Sequence, residues 1–231
     1  MSANTKKIII ITVSVLVVFG IILAIYLIPR NREYDEAEVI REAKRLIPLS
    51  AVLNEIYYGK GIMASEDSEG VGAYKPALDS ELERYGFGTV EELKARTRVV
   101  FSASLSENMF STVLSAVSDE DDTIVGYARY YQEKNGKGED LRFMVLTNYS
   151  YVLKNTIEYG ENITVIGSFG QIVKISVPVK LTREDGKVKE KNITVDMIEE
   201  ESGWRLASAS YAVYNESTDR YEDLLEGLEG K

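Results

Sequence analysis

The chain contains no cysteine and no histidine, and only four prolines and one tryptophan, among 231 residues. Each absence removes a class of chemistry. Without thiols there is no disulfide framework and no thiolate nucleophile. Without imidazole there is no histidine general base, and without either there is no ordinary zinc site. The lack of cysteine also permits export into an oxidising space. Positive charge is in deficit as well: 27 Lys and Arg stand against 37 Asp and Glu, a formal net charge of −10. Such a surface repels a polyanion, so no nucleic acid is expected as a partner. Gly86-Phe87-Gly88 and Gly136-Lys137-Gly138 lack the rest of any phosphate-binding fingerprint, and no cofactor is expected.

What is present begins with one long apolar run. Ile8 to Ile28 is 21 residues without a charge, bracketed by Lys6-Lys7 and Arg30, and sixteen of them are Ile, Leu, Val or Phe. As a helix it reaches about 31 Å at about 1.5 Å per residue, against a hydrocarbon core of roughly 30 Å. It is longer than the apolar region of a cleavable signal peptide and leaves through Tyr26-Leu27-Ile28-Pro29 rather than small residues. An uncleaved single-pass membrane anchor over 8–28 is expected, after a short cytoplasmic N-terminus at 1–7 and before a linker at 29–34. Counting Arg30, Arg32, Arg41, Lys44 and Arg45 after the span favours a cytoplasmic C-terminal domain. The nearest flanks are even, however, and long domains translocate largely regardless of charge. With a start like that of a signal anchor, the expectation is an extracytoplasmic domain at the cell membrane. Four Asn-x-Ser/Thr sequons, at Asn148, Asn162, Asn192 and Asn215, matter only in a eukaryotic secretory lumen. The Ile, Lys, Glu and Tyr-rich usage has a bacterial style.

About 200 residues remain, enough for one domain. Val39, Ile40, Ala43, Leu46, Ile47, Val52, Leu53, Ile56 and Tyr57 recur at spacings of three and four, the apolar face of a helix. Pro48 predicts a kink or break within it, and Gly59 and Gly61 end it. Residues 60–78 show no period and read as a mobile surface loop. A short turn of helix is expected near Ser80 to Tyr85. Two capping boxes, Thr89 with Glu92 and Ser104 with Glu107, announce further helices. The first buries Val90, Leu93, Thr97, Val100 and Phe101; the second buries Leu105, Met109, Val113 and Val117.

From Thr123 the period becomes two. Val173, Ile175, Val177, Val179 and Leu181 alternate with polar residues. After a turn at 183–187, Ile193, Val195 and Met197 do the same, which predicts a long antiparallel hairpin with one wet face. Pro178 places that strand at an edge or a bulge. Other strands are expected near 124–132, 141–147, 161–168 and 203–213, with a turn at Gly167 to Gly170 and a helical or irregular piece at 149–157. The acidic stretch 215–231 reads either as a docking helix through Tyr221, Leu224, Leu225 and Leu228 or as a frayed tail.

Helices first, then a curled sheet ending in a long hairpin and Glu199-Glu200-Glu201-Ser202-Gly203-Trp204-Arg205-Leu206, resemble the nuclear transport factor 2-like superfamily over roughly 35–214. The helical material between 79 and 117 is a departure from it. The resemblance implies an α+β fold in which a bent antiparallel sheet wraps a long first helix as a cone. It implies equally isomerases and dehydratases working with Asp and Tyr, and non-catalytic domains of exported assemblies, so fold alone does not choose. No family active-site motif matches a position here.

Read from the residues, a Tyr beside a carboxylate of raised pKa can transfer a proton at a carbon acid. Tyr127, Tyr130, Tyr131 and Asp196 are the candidates, with Trp204 as a ligand platform or, more ordinarily, a core anchor. Asp119-Glu120-Asp121-Asp122 offers hard oxygens but fails the calcium-loop pattern at Ile124 and Tyr130, so no metal is expected. The expected function is a non-catalytic, membrane-anchored interaction domain that binds a protein partner or itself. The alternative is a small-molecule-binding or lyase-type enzyme.

Overall fold

The computed structural model describes residues 33–115, 117–118, 124–215 and 220–223. The apolar run 8–28 and the acidic run 119–122 lie outside these residues. Among the described residues no helix is long and apolar enough to cross a membrane.

Helix α1 (Glu36–Tyr58) starts where the Asp35 side chain accepts from the Ala37 and Glu38 backbone N–H groups and stops at Gly59. It runs unbroken through Pro48. Pro48 and Lys44 both face solvent, so the Lys44 carbonyl that loses its donor is open to water, and the missing bond does not end the helix. Val39, Ala43, Leu46, Ile47, Leu53, Ile56 and Tyr57 form its buried stripe.

The stretch after α1 is more ordered than its composition suggests. Ser65 N–H donates to Pro76 O at 2.8 Å and Leu78 N–H to Met63 O at 2.9 Å. Strand β1 (Tyr74–Pro76) pairs with β5 (Asp140–Leu146), which also pairs with β4 (Tyr130–Lys134). A strand of three residues is too short to show a period, which is why the sequence reads as loop.

Helix α2 (Asp79–Tyr85) precedes α3 (Val90–Val100), which opens on the expected capping box: Glu92 N–H donates to Thr89 Oγ1 at 3.1 Å and Thr89 N–H to Glu92 Oε2 at 3.3 Å. Helix α4 (Ala103–Val113) is capped by Ser102 rather than Ser104. Ser102 N–H donates to Leu206 O at 2.8 Å, which holds Ser102 extended and lets its hydroxyl accept from Leu105 N–H at 3.3 Å. Glu107 instead pairs with Arg98 at 2.8 Å, and Val117 lies in the short strand β2 (Val117–Ser118), which pairs with β3 (Ile124–Gly126).

The main sheet has the order β10-β9-β8-β6, with β7 also on β8, and curls strongly into a cone-like half-barrel. Its strands are β6 (Asn155–Tyr159), β7 (Thr164–Phe169), β8 (Ile172–Arg183), β9 (Val188–Glu200) and β10 (Gly203–Leu206). The expected hairpin is β8 with β9, in the register Val173↔Met197, Ile175↔Val195 and Val177↔Ile193. These six side chains are buried.

Strand β8 is central, not an edge. Pro178 fits because β6 covers 179–183 and β7 covers 172–176, so it stands where one neighbour gives way to the other. Gly160 N–H donates to Pro178 O at 2.8 Å. In an antiparallel strand the N–H and C=O of one residue point the same way, so the donor Pro178 lacks faces Gly160 just past the end of β6, and only the bond that would return to Gly160 is missing.

The expected strand at 203–213 is two, β10 and β11 (Ala212–Asn215), and β12 (Arg220–Asp223) pairs with β11. The connection between β10 and β11 is pinned to α1 by a buried polar cluster. The Ser50 and Ser210 hydroxyls lie 2.6 Å apart, Asn54 Nδ2 donates to Ser210 Oγ at 3.1 Å, and Tyr159 O–H donates to Ser210 O at 2.8 Å.

Candidate functional site

A helix ends with carbonyls that have no partner inside it, and α1 ends inside the protein. Gly59 N–H turns back to Asn54 O and Glu55 O at 3.3 and 3.0 Å. Val152 and Leu153 N–H groups donate to Tyr58 O at 2.9 and 3.0 Å. The remaining carbonyls are met by two consecutive residues at the start of β4. Tyr130 O–H donates to Ile56 O at 2.8 Å, Arg129 Nη1 donates to Tyr57 O at 2.8 Å, and Arg129 Nη2 donates to Gly59 O at 2.6 Å.

Arg129 is itself fixed at its backbone, its N–H donating to Val113 O at 2.7 Å and its carbonyl accepting from Leu146 N–H at 2.9 Å. Its guanidinium lies 4.4 Å from the Tyr149 ring centre and 5.2 Å from that of Tyr130. Stacking on the negative ring faces adds to the attraction of the helix C-terminus for a cation. Arg129 is only 3% exposed, and no carboxylate among the described residues forms an ion pair with it.

The Tyr130 hydroxyl is fully used, since it also accepts from Ile62 N–H at 3.1 Å. Burial pushes its pKa up to about 12, against the opposing pull of Arg129. Burial likewise raises the hydroxyls of Tyr57 and Tyr58. The Tyr57 hydroxyl is bound to Thr97 Oγ1 at 2.9 Å, whereas the buried Tyr58 hydroxyl has no hydrogen-bond partner among the described residues.

A cleft of about 850 Å³ opens beside this cluster. Arg129 lies in its wall with Ile62, Met63, Val145 and Tyr149, and Lys60, Lys75, Glu66 and Asp67 also line it. A second cleft of about 830 Å³ lies between β5 and α2, and a smaller one of about 550 Å³ marks the β6–β7 gap at Pro178.

The residues singled out from sequence do not converge on one place. Tyr130 belongs to the α1 cap. Tyr131 packs edge-on against Tyr74, with centroids 4.7 Å apart, and Tyr127 is 63% exposed. Asp196 sits on the main sheet, its carboxylate 2.9 Å from Lys174 Nζ, and Trp204 is a buried residue of β10, 5% exposed. Tyr130 and Asp196 are thus carried by different sheets and have different partners. Arg129, Tyr149 and Tyr58 went unmarked in the sequence. Alternation would put Arg129 and Tyr130 on opposite faces, but Arg129 stands at a bend before the strand begins, so both point inward.

No protein-family model, curated protein or solved structure gives a significant match to the chain. The reading of its function therefore rests on its own residues.

Proposed function

We propose that this chain is a membrane-anchored, extracytoplasmic interaction domain, held by residues 8–28, that works by association rather than turnover. One observation carries the reading: the interior of the curled sheet is filled with side chains that hold the fold together. Tyr57, Phe101, Ile175, Met197 and Leu206 are all fully buried in the core, as is Tyr130 of the smaller sheet, whose hydroxyl is bound to two backbone groups. Chemistry between a Tyr and a carboxylate needs both groups turned to a substrate, whereas Asp196 is paired with Lys174.

The outer surface supplies what an interaction domain uses. Strand β7 pairs only with β8 and is the one strand of the main sheet with no charged side chain. It exposes Ile166 and Phe169 at 55% and 65%. Uncharged edges of this kind are where strands from other chains add. Anchoring confines such a surface to two dimensions and raises its effective concentration towards a membrane partner, so a weak contact suffices. A distant place in the nuclear transport factor 2-like superfamily is part of the proposal, on the order of elements.

The test compares the anchored chain with a form lacking residues 1–32 but still exported, by crosslinking in cells and by rescue of a deletion strain. The anchored form is expected to capture a neighbour or a second copy, and the released form to lose both capture and rescue. Full rescue by a released form that captures nothing overturns the proposal. Protease added to cells stripped of their outer layers should digest the domain; protection until lysis reverses the orientation.

A further inference from the structure

Arg129 offers more than its cap on α1 uses. A guanidinium carries five N–H donors in one plane, and α1 takes two of them, through Tyr57 O and Gly59 O. The carbonyls at a helix C-terminus carry only a partial negative charge, about half a unit in total, so they orient the cation without neutralising it. Burying a cation without a full counter-charge is costly. The compensation usual in proteins, a carboxylate in ion-pair contact, is missing among the described residues, and Arg129 is one of the residues that line the cleft of about 850 Å³.

The lining of that cleft defines what fits. Lys60, Lys75 and Arg129 face Glu66 and Asp67, an excess of one positive charge. The Lys75 amine is held by Glu66 O at 2.7 Å, and Arg129 is the deepest of the three cations. Ile62, Met63 and Val145 make an apolar wall, and the Tyr149 ring covers one face of the guanidinium at 4.4 Å. A planar fork of donors matches a carboxylate. The volume lies within the range of small-molecule sites, roughly 300 to 1,000 Å³.

We propose that this cleft binds a small organic monocarboxylate, its carboxylate against Arg129 and its apolar body against Ile62, Met63 and Val145. The two rim carboxylates disfavour a dianion, and the apolar wall disfavours a bare inorganic one. The proposal goes beyond the interaction reading and stands independently of the anchor.

The experiment is an NMR titration of the full chain in neutral detergent, labelled at the arginine side-chain nitrogens, with benzoate, benzamide and inorganic phosphate as probes. Benzoate is expected to give a saturable shift of the Arg129 Nε–Hε signal. Benzamide, which lacks the charge, should bind at least about tenfold more weakly, as should phosphate. Because replacing Arg129 also uncaps α1, the variants are placed on the rim. Met63→Glu adds a third carboxylate and should weaken benzoate by about tenfold, while Met63→Gln stays within about threefold of the parent. The proposal is overturned by the absence of a saturable benzoate shift, by benzamide or phosphate binding as tightly as benzoate, or by indifference to Met63→Glu.

Discussion

The Tyr130 hydroxyl donates to the Ile56 carbonyl across 2.8 Å, joining β4 to the last turn of a helix 74 residues upstream. The same oxygen accepts from Ile62 N–H at 3.1 Å, so one phenol serves both the end of α1 and the chain that leaves it. Removing it strands a buried donor and a buried acceptor, at a cost of roughly 1 to 3 kcal/mol. Tyr130→Phe should lower the urea midpoint accordingly with the slope unchanged. Tyr127→Phe, at an exposed position, should stay within about 0.5 kcal/mol of the parent. Equal effects from the two changes would remove the cap from the account of stability.

Gly61 is the second requirement of that cap. Its φ of +73° lies in the left-handed region, and a Cβ there would overlap Arg129 Nη2 and the Tyr130 hydroxyl. Gly72 shares the backbone conformation, at φ +60°, but a Cβ would meet nothing within 4 Å. The two positions separate strain from crowding. Gly72→Ala should show only the left-handed penalty of about 1 to 2 kcal/mol. Gly61→Ala should cost at least about 1 kcal/mol more, because a well-packed site must also shift. Equal losses in denaturant melts would mean that the guanidinium and phenol move aside freely.

These residues also show where the sequence is legible. Periodicity finds an element when burial is one-sided and local, as in α1 and in the β8–β9 hairpin. The Thr89–Glu92 box is equally plain because both partners lie within one turn. What escapes is whatever depends on a distant strand. Ser102 displaces Ser104 as the cap of α4 because Leu206 O holds its N–H, and Pro178 tolerates a central strand because β6 and β7 meet beside it. The cleft is the extreme case: Arg129, Ile62 and Tyr149 come from three separate stretches without a shared period.

Trp204, for which the sequence offers a ligand platform or a core anchor, is buried in β10 with its backbone paired to Glu199. The next residue, Arg205, donates through Nε to Arg98 O at 2.9 Å, so this strand also closes the end of α3. Trp204→Ala should cost about 3 to 5 kcal/mol. Leu141→Ala, at an exposed position, should change stability by no more than about 0.5 kcal/mol. A Trp204→Ala chain that melts within a degree or so of the parent would contradict the packing.

Stability should fall off at both ends of the pH scale, for opposite reasons. At the acid end, Glu133 is held below the usual carboxylate range by its hydrogen bond from Arg142, Asp185 by the backbone N–H of Lys187, and Glu91 by Lys94. A depressed carboxyl contributes stability that is present above its unfolded pKa of about 4 and is lost as pH falls through the folded value. Glu91 and Asp185 are exposed and Glu133 is half-buried at the surface, so this limb should be shallow and weakened by salt. At the alkaline end, burial raises Tyr57, Tyr58, Tyr130, Tyr159 and Tyr211, with Tyr130 pushed up to about 12. The folded state then holds protons that the unfolded state releases. Stability is therefore complete below an unfolded pKa of about 10 and declines as pH rises through the folded values, by about 1.4 kcal/mol per pH unit for each such phenol. Melting temperature measured across pH should show a plateau with a steep alkaline edge, and Tyr130→Phe should make that edge shallower. Phenolate absorbance should appear in two stages, the second coinciding with loss of circular dichroism. A single stage completed while the chain is still folded would show that these hydroxyls are open to solvent.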